Sequence, residues 1–383
     1  MIAHKSAWMD EELGIFSDSV RKFFEREAIP HNERWNHEGK IDRNFWNKAG
    51  DAGLLCVTIP EEYGGAGGDF RHEAVIVQQE QWTHFSGWGN GVHSGICAPY
   101  IHSYGTEEQK KRWLPKLATG EMVAAIAMTE PGTGSDLQSV RTTARRDGDE
   151  LVINGQKTFI TNGQHADLII VVCKTGDIGG GAKNMSLVMV EADKAPGYRR
   201  GRNLDKIGLH AQDTSELFFD DVRVPAGNVL GGAEGRGFYQ LMQQLPRERL
   251  IIALGAVAGM EAAVAVTAAY VKERKAFGKP LLDFQNTQFV LADCKAETVV
   301  ARSFIDDYVV RLMKGELSPE EGAIAKLWAC ETQCRVVDKC LQLFGGYGYM
   351  MEYPIARMYA DARVQRIYGG TSEIMRLLIA RTL

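Results

Sequence analysis

The 383-residue sequence predicts an α+β protein of three parts: an N-terminal α-helical domain over 1–122, a central β domain over 123–232 and a C-terminal α-helical bundle over 233–383. Two changes of hydrophobic period, together with the length, lead to this reading. Apolar residues recur at helical spacing up to about residue 122, shift to short apolar or alternating runs, and return to helical spacing from about residue 233. A chain this long exceeds one ordinary core and divides into domains that bury surface against each other. The order also lacks the alternating β and α units of a dinucleotide-binding sheet.

In the first region Leu13, Phe16, Val20 and Phe23 mark the apolar face of an amphipathic helix, and Thr106-Glu107-Glu108-Gln109 has the form of a capping box that starts another. Residues 60–68, Pro-Glu-Glu-Tyr-Gly-Gly-Ala-Gly-Gly, read as a loop, because so many glycines would forfeit backbone entropy inside a helix. Their spacing is neither Gly-x-Gly-x-x-Gly nor a Walker pattern. In the second region strands are expected at 151–153, 168–173, 186–190 and 217–219, with Asn154-Gly155 as a hairpin turn, since both residues tolerate positive φ. In the third, long helices are expected at 241–273, 284–314 and 319–344. Ser318-Pro319-Glu320-Glu321 combines a cap, an N1 proline and an N3 glutamate and fixes one start, and Gly345-Gly346 marks the corresponding stop.

Charge is nearly balanced, 44 Lys+Arg against 49 Asp+Glu, so no strong field favours nucleic acid or an anionic membrane as partner. The apolar stretch 250–270 approaches the length of a membrane span, but Glu261 and several Ala and Gly residues make it a better buried helix. Residues 1–12 include acidic groups and have neither signal-peptide nor transit-peptide character, which leads to the expectation of a cytoplasmic protein. Seven cysteines, three of them (Cys330, Cys334, Cys340) in one helical segment, read as small buried residues. Nine scattered histidines contain no His-x-x-x-His pair, so no metal site is expected.

Three segments could carry chemistry. Residues 128–136, Met-Thr-Glu-Pro-Gly-Thr-Gly-Ser-Asp, form a run of small and hydroxyl residues after an apolar strand, which suits either a solvated loop or one presenting N–H groups and hydroxyls to a polar ligand. Phe159 and Thr161 lie one strand later, an aromatic and a hydroxyl able to stack on and bond to a flat ring. Glu248, between Arg247 and Arg249 and just after Pro246, reads on its own as a charge cluster capping the start of a long apolar helix.

Segments 60–65, 129–136, 275–280 and 368–374, in this order, resemble the flavin-dependent acyl-CoA dehydrogenases, and the resemblance runs from about residue 11 to the C-terminus. It implies an N-terminal helical domain, a central β-barrel domain and a C-terminal four-helix bundle, with FAD between the last two. Met128, Thr129, Gly134 and Ser135 match the loop lining the isoalloxazine edge or the acyl-CoA, while Phe159 and Thr161 match its second flavin segment. Arg274, Phe277 and Gln285 match the segment that reaches a neighbouring subunit's FAD, and Gln342, Gly345 and Gly346 the other half of that contact. Thr371 and Glu373 fall on the flavin side of the tail. Tyr239, Arg249, Gly369 and Gly370, with Ser135, match positions near the substrate.

Many members carry the catalytic glutamate where this chain has Gly369, whereas the isovaleryl and long-chain branches place it on a helix, in a Glu-Arg pair matching Glu248-Arg249. The resemblance therefore implies that Glu248 removes the α-proton of an acyl thioester while hydride leaves the β-carbon for flavin N5. Burial is expected to raise the glutamate to roughly 6–7, matching it to that task. The Gly369 N–H is expected to support the thioester oxygen, and the missing side chain to leave room for a branched or long acyl group. A medium to long or branched saturated chain is the expected substrate, an electron-transfer flavoprotein the expected acceptor and a homotetramer the expected assembly. The alternatives are an oxygen-using oxidase of the same fold and a catalytically silent subunit.

Overall fold

A computed structural model describes residues 6–176 and 178–383. The N-terminal helices are α1 (Glu11–Glu27), α2 (Asn32–Glu38), α3 (Arg43–Asp51), α4 (Phe70–Trp82), the single turn α5 (Asn90–Val92), α6 (Ala98–Tyr104) and α7 (Glu107–Ala118). The Asp10 carboxylate caps α1 by accepting the Leu13 N–H, and Leu13, Val20, Phe23 and Phe24 are buried along one face. The capping box that starts α7 forms as its spacing predicts, Thr106 with Gln109. In the 60–68 loop a Cβ at Gly65 would lie 2.1 Å from the Ile59 carbonyl oxygen, and Gly64 and Gly67 have φ of 83° and 66°. Backbone crowding explains these glycines without a ligand.

Seven strands come next: β1 (Ala124–Ala127), β2 (Thr143–Asp147), β3 (Glu150–Thr161), β4 (Leu168–Lys174), β5 (Met185–Glu191), β6 (Tyr198–Asn203) and β7 (Thr214–Pro225). They make one curled sheet in the order β1-β4-β2-β3-β7-β6, with β5 paired to β4. β4 is apolar from Leu168 to Cys173 because both its faces are covered. Leu168, Ile170 and Val172 pack towards α6 and α7, and Ile169, Val171 and Cys173 face a second core with Leu217 and Phe219.

The structure corrects the reading of Asn154-Gly155. These residues lie inside β3, and the hairpin between β2 and β3 turns at Gly148-Asp149, where Gly148 has φ 64°. Asn154 and Gly155 form a bulge opposite Asp221, with reciprocal hydrogen bonds between Asn154 and Asp221. Glycine is needed there because a Cβ would meet the Thr142 hydroxyl at 2.3 Å.

The C-terminal region contains α8 (Gly237–Glu273), a small hairpin β8 (Lys275–Ala276) and β9 (Lys279–Pro280), α9 (Gln285–Met313), α10 (Pro319–Gln342), α11 (Pro354–Ala362) and α12 (Ser372–Ala380). Three long helices form the bundle, and its fourth side is shared by the short α11 and α12 against α10. The Ser318 and Glu321 capping box starts α10 as predicted. α8 is long and apolar enough to cross a membrane, with a window of mean hydropathy 2.0, but 83% of that window is buried within the protein. It is the central core helix, with α4, α9 and α10 packed around it.

Candidate active site

α8 begins at Gly237, so Glu248 stands about three turns inside it and cannot be an N-terminal cap. Pro246 made this segment look like a helix start, but it lies within the helix, where Gly322 of α10 packs closely against it. The Glu248 side chain is therefore held in the interior; the residue is 5% exposed. The Tyr100 hydroxyl donates to its Oε1 at 2.8 Å, and Oε2 receives no hydrogen bond among the described residues. Burial pushes the carboxyl from 4.5 up to about 7, against the opposing pull of the Tyr100 hydrogen bond and of the Arg247 and Arg249 charges.

The two arginines differ in their commitments. Arg247 pairs with the buried Glu73 of α4 and donates to the Gly95 carbonyl. Arg249 is the more deeply buried of the two, at 5% exposure, and among the described residues makes one long bond, 3.4 Å from Nε to the Gly369 carbonyl. Its guanidinium thus retains donor capacity beside the C-terminal loop.

That loop is held by Lys326 of α10, whose Nζ donates to the Gln365 carbonyl at 2.9 Å and the Gly370 carbonyl at 2.7 Å. Gly369 and Gly370 take φ of 64° and 97°, and the Gly369 N–H has no acceptor among the described residues. The expected open space at Gly369 is absent. A Cβ there would meet Ile252 Cδ1 at 2.5 Å and Lys326 Cε at 3.4 Å, so Ile252, one turn along α8 from Glu248, fills it.

On the sheet, a buried network fixes the loop that starts at Met128. Lys157 Nζ donates to the carbonyls of Met128 (2.9 Å) and Val172 (2.7 Å) and to the Glu130 carboxylate (2.9 Å). Glu130 also accepts the N–H groups of Arg141 and Thr142 and the Thr142 hydroxyl. The Thr158 N–H donates to the Thr129 carbonyl at 2.9 Å, which sets Thr129 against β3. Next to this staple Phe159 has φ 60° and is 68% exposed, an unusual state for a large aromatic in a strand. Gly134 and Ser135 are exposed, a Cβ at Gly134 would meet nothing within 4 Å, and Thr161 is half-buried. An unburied aromatic face, neighbouring hydroxyls and open backbone fit a flat, polar-edged ring system.

A second group lies at the end of the bundle. The Arg274 guanidinium sits 5.2 Å over the Tyr347 ring, and Tyr270 stacks on Phe344 at 4.0 Å, which joins the 274 and 342–347 segments. Phe277, at the hairpin tip with φ 52°, is 95% exposed; Gln285, Gln342, Gly345 and Gly346 are also exposed. No hydrogen bond, ion pair or ring contact joins this group to the Phe159 group among the described residues. Thr371 caps α12 by accepting the Ile374 N–H at 3.3 Å, and Glu373 is exposed with Arg376 3.6 Å away. Tyr239 is half-exposed under the Arg236 guanidinium at 5.9 Å and touches neither Glu248 nor Arg249 through a hydrogen bond or ring contact.

The bond from Tyr100 to Glu248, the buried Lys157–Glu130 pair and the hold of Lys326 on the C-terminal loop were not anticipated from the sequence. Only Lys326 carried a signal, a lone cation on the alanine-rich face of Ala323, Ala325 and Ala329.

Comparison with known proteins bears on all three regions. Residues 10–121, 125–222 and 235–383 match the descriptions "Acyl-CoA dehydrogenase, N-terminal domain", "middle domain" and "C-terminal domain". The chain is 49% identical to the mitochondrial long-chain specific acyl-CoA dehydrogenase of Sus scrofa, over 97% of this chain and 86% of that protein. It is 37% identical to the mitochondrial isovaleryl-CoA dehydrogenase of Oryza sativa subsp. japonica, over 99% and 92%. A crystal structure of acyl-CoA dehydrogenase from Geobacillus kaustophilus superposes with a TM-score of 0.96 at 49% identity, covering 99% of each chain.

Proposed function

The chain belongs to the acyl-CoA dehydrogenase family, and from that premise we propose that it converts a long-chain or branched saturated acyl-CoA to the trans-2-enoyl-CoA with Glu248 as the base. It is an FAD-dependent oxidoreductase of acyl-CoA thioesters. When bound, FAD supplies the acceptor for the hydride that leaves the β-carbon. Met128, Thr129, Gly134, Ser135, Phe159 and Thr161 would hold the ring end of FAD, with Thr371 and Glu373 beyond it.

The observation that carries the proposal is the state of Glu248: buried, held by one oxygen, the other free, and raised to about 7. An ordinary carboxylate near ~4.3 is a poor base for an α-proton, and the raised value brings it near neutral operating pH. Oε2 takes the α-proton. The free Gly369 N–H meets the thioester oxygen as enolate charge develops, and Arg249 adds positive charge to the same pocket. Lys326 keeps Gly369 in place through the Gly370 carbonyl.

The long-chain preference draws support from the relatives, 49% identity to a long-chain enzyme against 37% to an isovaleryl enzyme. A homotetramer is supported by the exposed Arg274, Phe277, Gln285, Gln342, Gly345 and Gly346, which in one chain do not join the Phe159 group and would complete a neighbour's cofactor site. An electron-transfer flavoprotein would then receive the electrons. The test is an anaerobic titration of the holoenzyme with saturated acyl-CoA esters of graded length and branching, monitored at the oxidised flavin band. Bleaching by long or branched esters is expected. Bleaching by short straight chains alone would overturn the substrate assignment, and flavin reduced by none of them would point to a silent subunit.

A further inference from the structure

We propose that Tyr100 is a positioning residue for the reaction: its phenol holds one oxygen of Glu248 so that the other faces the substrate α-carbon as the reacting base. The inference rests on the reading of Glu248 as the base and supplies what that reading lacks, the group that orients it.

Tyr100 is fully buried, and among the described residues its hydroxyl makes one hydrogen bond, 2.8 Å to Glu248 Oε1. The other charged or titratable groups near Glu248 are each engaged elsewhere or donate nothing to it. On α8, Arg247 is bound to Glu73 of α4 and the Gly95 carbonyl, and Arg249 to the Gly369 carbonyl. From the 93–104 segment, Cys97 is buried and makes no bond to Glu248, and the Tyr104 hydroxyl donates to Gln243 Oε1 at 3.0 Å and the Gln240 carbonyl at 3.3 Å. Lys326 of α10, near Arg249, is committed to the Gln365 and Gly370 carbonyls. The orientation of the carboxylate therefore depends on one phenol.

The backbone that delivers this phenol is unusual and rigid. α5 passes into a π-helical turn, His93–Cys97, before α6 resumes. Widening the turn by one residue rotates α6 by about 100° relative to an unbroken α-helix, and that register carries Tyr100 towards α8. The π turn is pinned on both sides. Ser94 donates to Asn90 Oδ1 at 2.6 Å and accepts the Cys56 N–H at 2.8 Å, while His93 joins the Leu117 carbonyl and the Ala124 N–H, each at 3.0 Å. A phenol also suits the task chemically. It orients a carboxylate and stabilises its charged form without the full positive charge of an arginine, which would depress the basicity the reaction needs.

Tyr100→Phe keeps the ring and removes the hydroxyl. The holoenzyme is mixed anaerobically with a saturated long-chain acyl-CoA, and the rate of flavin bleaching is measured from about pH 5.5 to about pH 10.5, a span that brackets the raised carboxyl before and after the expected shift. Loss of a hydrogen bond that favours the anion raises the glutamate, so the acid limb of the rate profile is expected to move up by about one to two pH units. The plateau rate at high pH is expected to fall about tenfold as orientation is lost. An unmoved limb with a plateau within about twofold of the parent would overturn the proposal. The limb position belongs to whatever enzyme remains folded, so partial loss of protein leaves the readout intact. Glu248→Gln run in parallel separates the two readings. If it bleaches like the parent, the base assignment itself fails; if it is inert while Tyr100→Phe is unchanged, only the role of Tyr100 falls.

Discussion

Replacing Glu248 with Gln is expected to make the protein more stable at alkaline pH and little different at acid pH. The variant keeps an acceptor for the Tyr100 hydroxyl and removes the need to ionise a buried group. The carboxyl is raised from 4.5 to about 7, and that gap corresponds to about 3.4 kcal/mol at about 1.36 kcal/mol per pH unit. The folded state binds the proton more tightly than the unfolded state. Wild-type stability from this group is therefore fully present below about pH 4.5 and is lost as pH rises through about 7. Glutamine feels no such loss. An unfolding entropy of about 2.1 cal/mol/K per residue gives about 0.8 kcal/mol/K for a chain of 383 residues. The Tm difference should thus be about 4 °C at about pH 8.5 and about 1 °C at about pH 5. Paired calorimetric scans of the two holoenzymes at these pH values measure it. An equal difference at both, or a less stable variant at the alkaline pH, would refute an ionisation penalty at Glu248.

Glu130→Gln leaves Lys157 charged, buried and without its ion-pair partner, an expected cost of about 3–5 kcal/mol that loosens the loop at Met128; FAD absorbance after desalting should fall relative to the parent. Gly369→Ala places a methyl in left-handed backbone against Ile252 and should cost on the order of 1–3 kcal/mol. Adding Ile252→Val removes the Cδ1 it meets, so denaturant melts should show the double variant less destabilised than the sum of the singles. Arg247→Met strands Glu73 and should lower stability by about 3–5 kcal/mol, measured the same way; a change within about 0.5 kcal/mol would count against the pair as a structural element.

How much of the fold and site was legible in the chain depended on the range of the interaction. The starts of α7 and α10 were legible because a capping box is closed within four residues. β4 and β5 were legible because both their faces are buried, which leaves apolar runs over 168–173 and 187–190. Asn154-Gly155 misled because the glycine answers crowding by Thr142, which comes from outside β3, and not a left-handed turn, so that only the packed neighbours decide between bulge and hairpin. Pro246 likewise has the look of a first helical residue, and only Gly322 of another helix shows how an interior proline is accommodated. Glu248 was reached through its Arg neighbour and the tail motif, but its orienting phenol lies 148 residues earlier, and no local pattern links the two. The filled space at Gly369 was hidden for the same reason, since Ile252 comes from α8.

The most direct test of the account is the reductive half-reaction of Glu248→Gln. Parent and variant, both carrying FAD, are mixed anaerobically with a saturated long-chain acyl-CoA and the oxidised flavin band is recorded over time. The expected result is normal flavin content and a bleaching rate lower by on the order of 10² or more. Bleaching at the parent rate would contradict the account, because the α-proton would then be leaving to some other group.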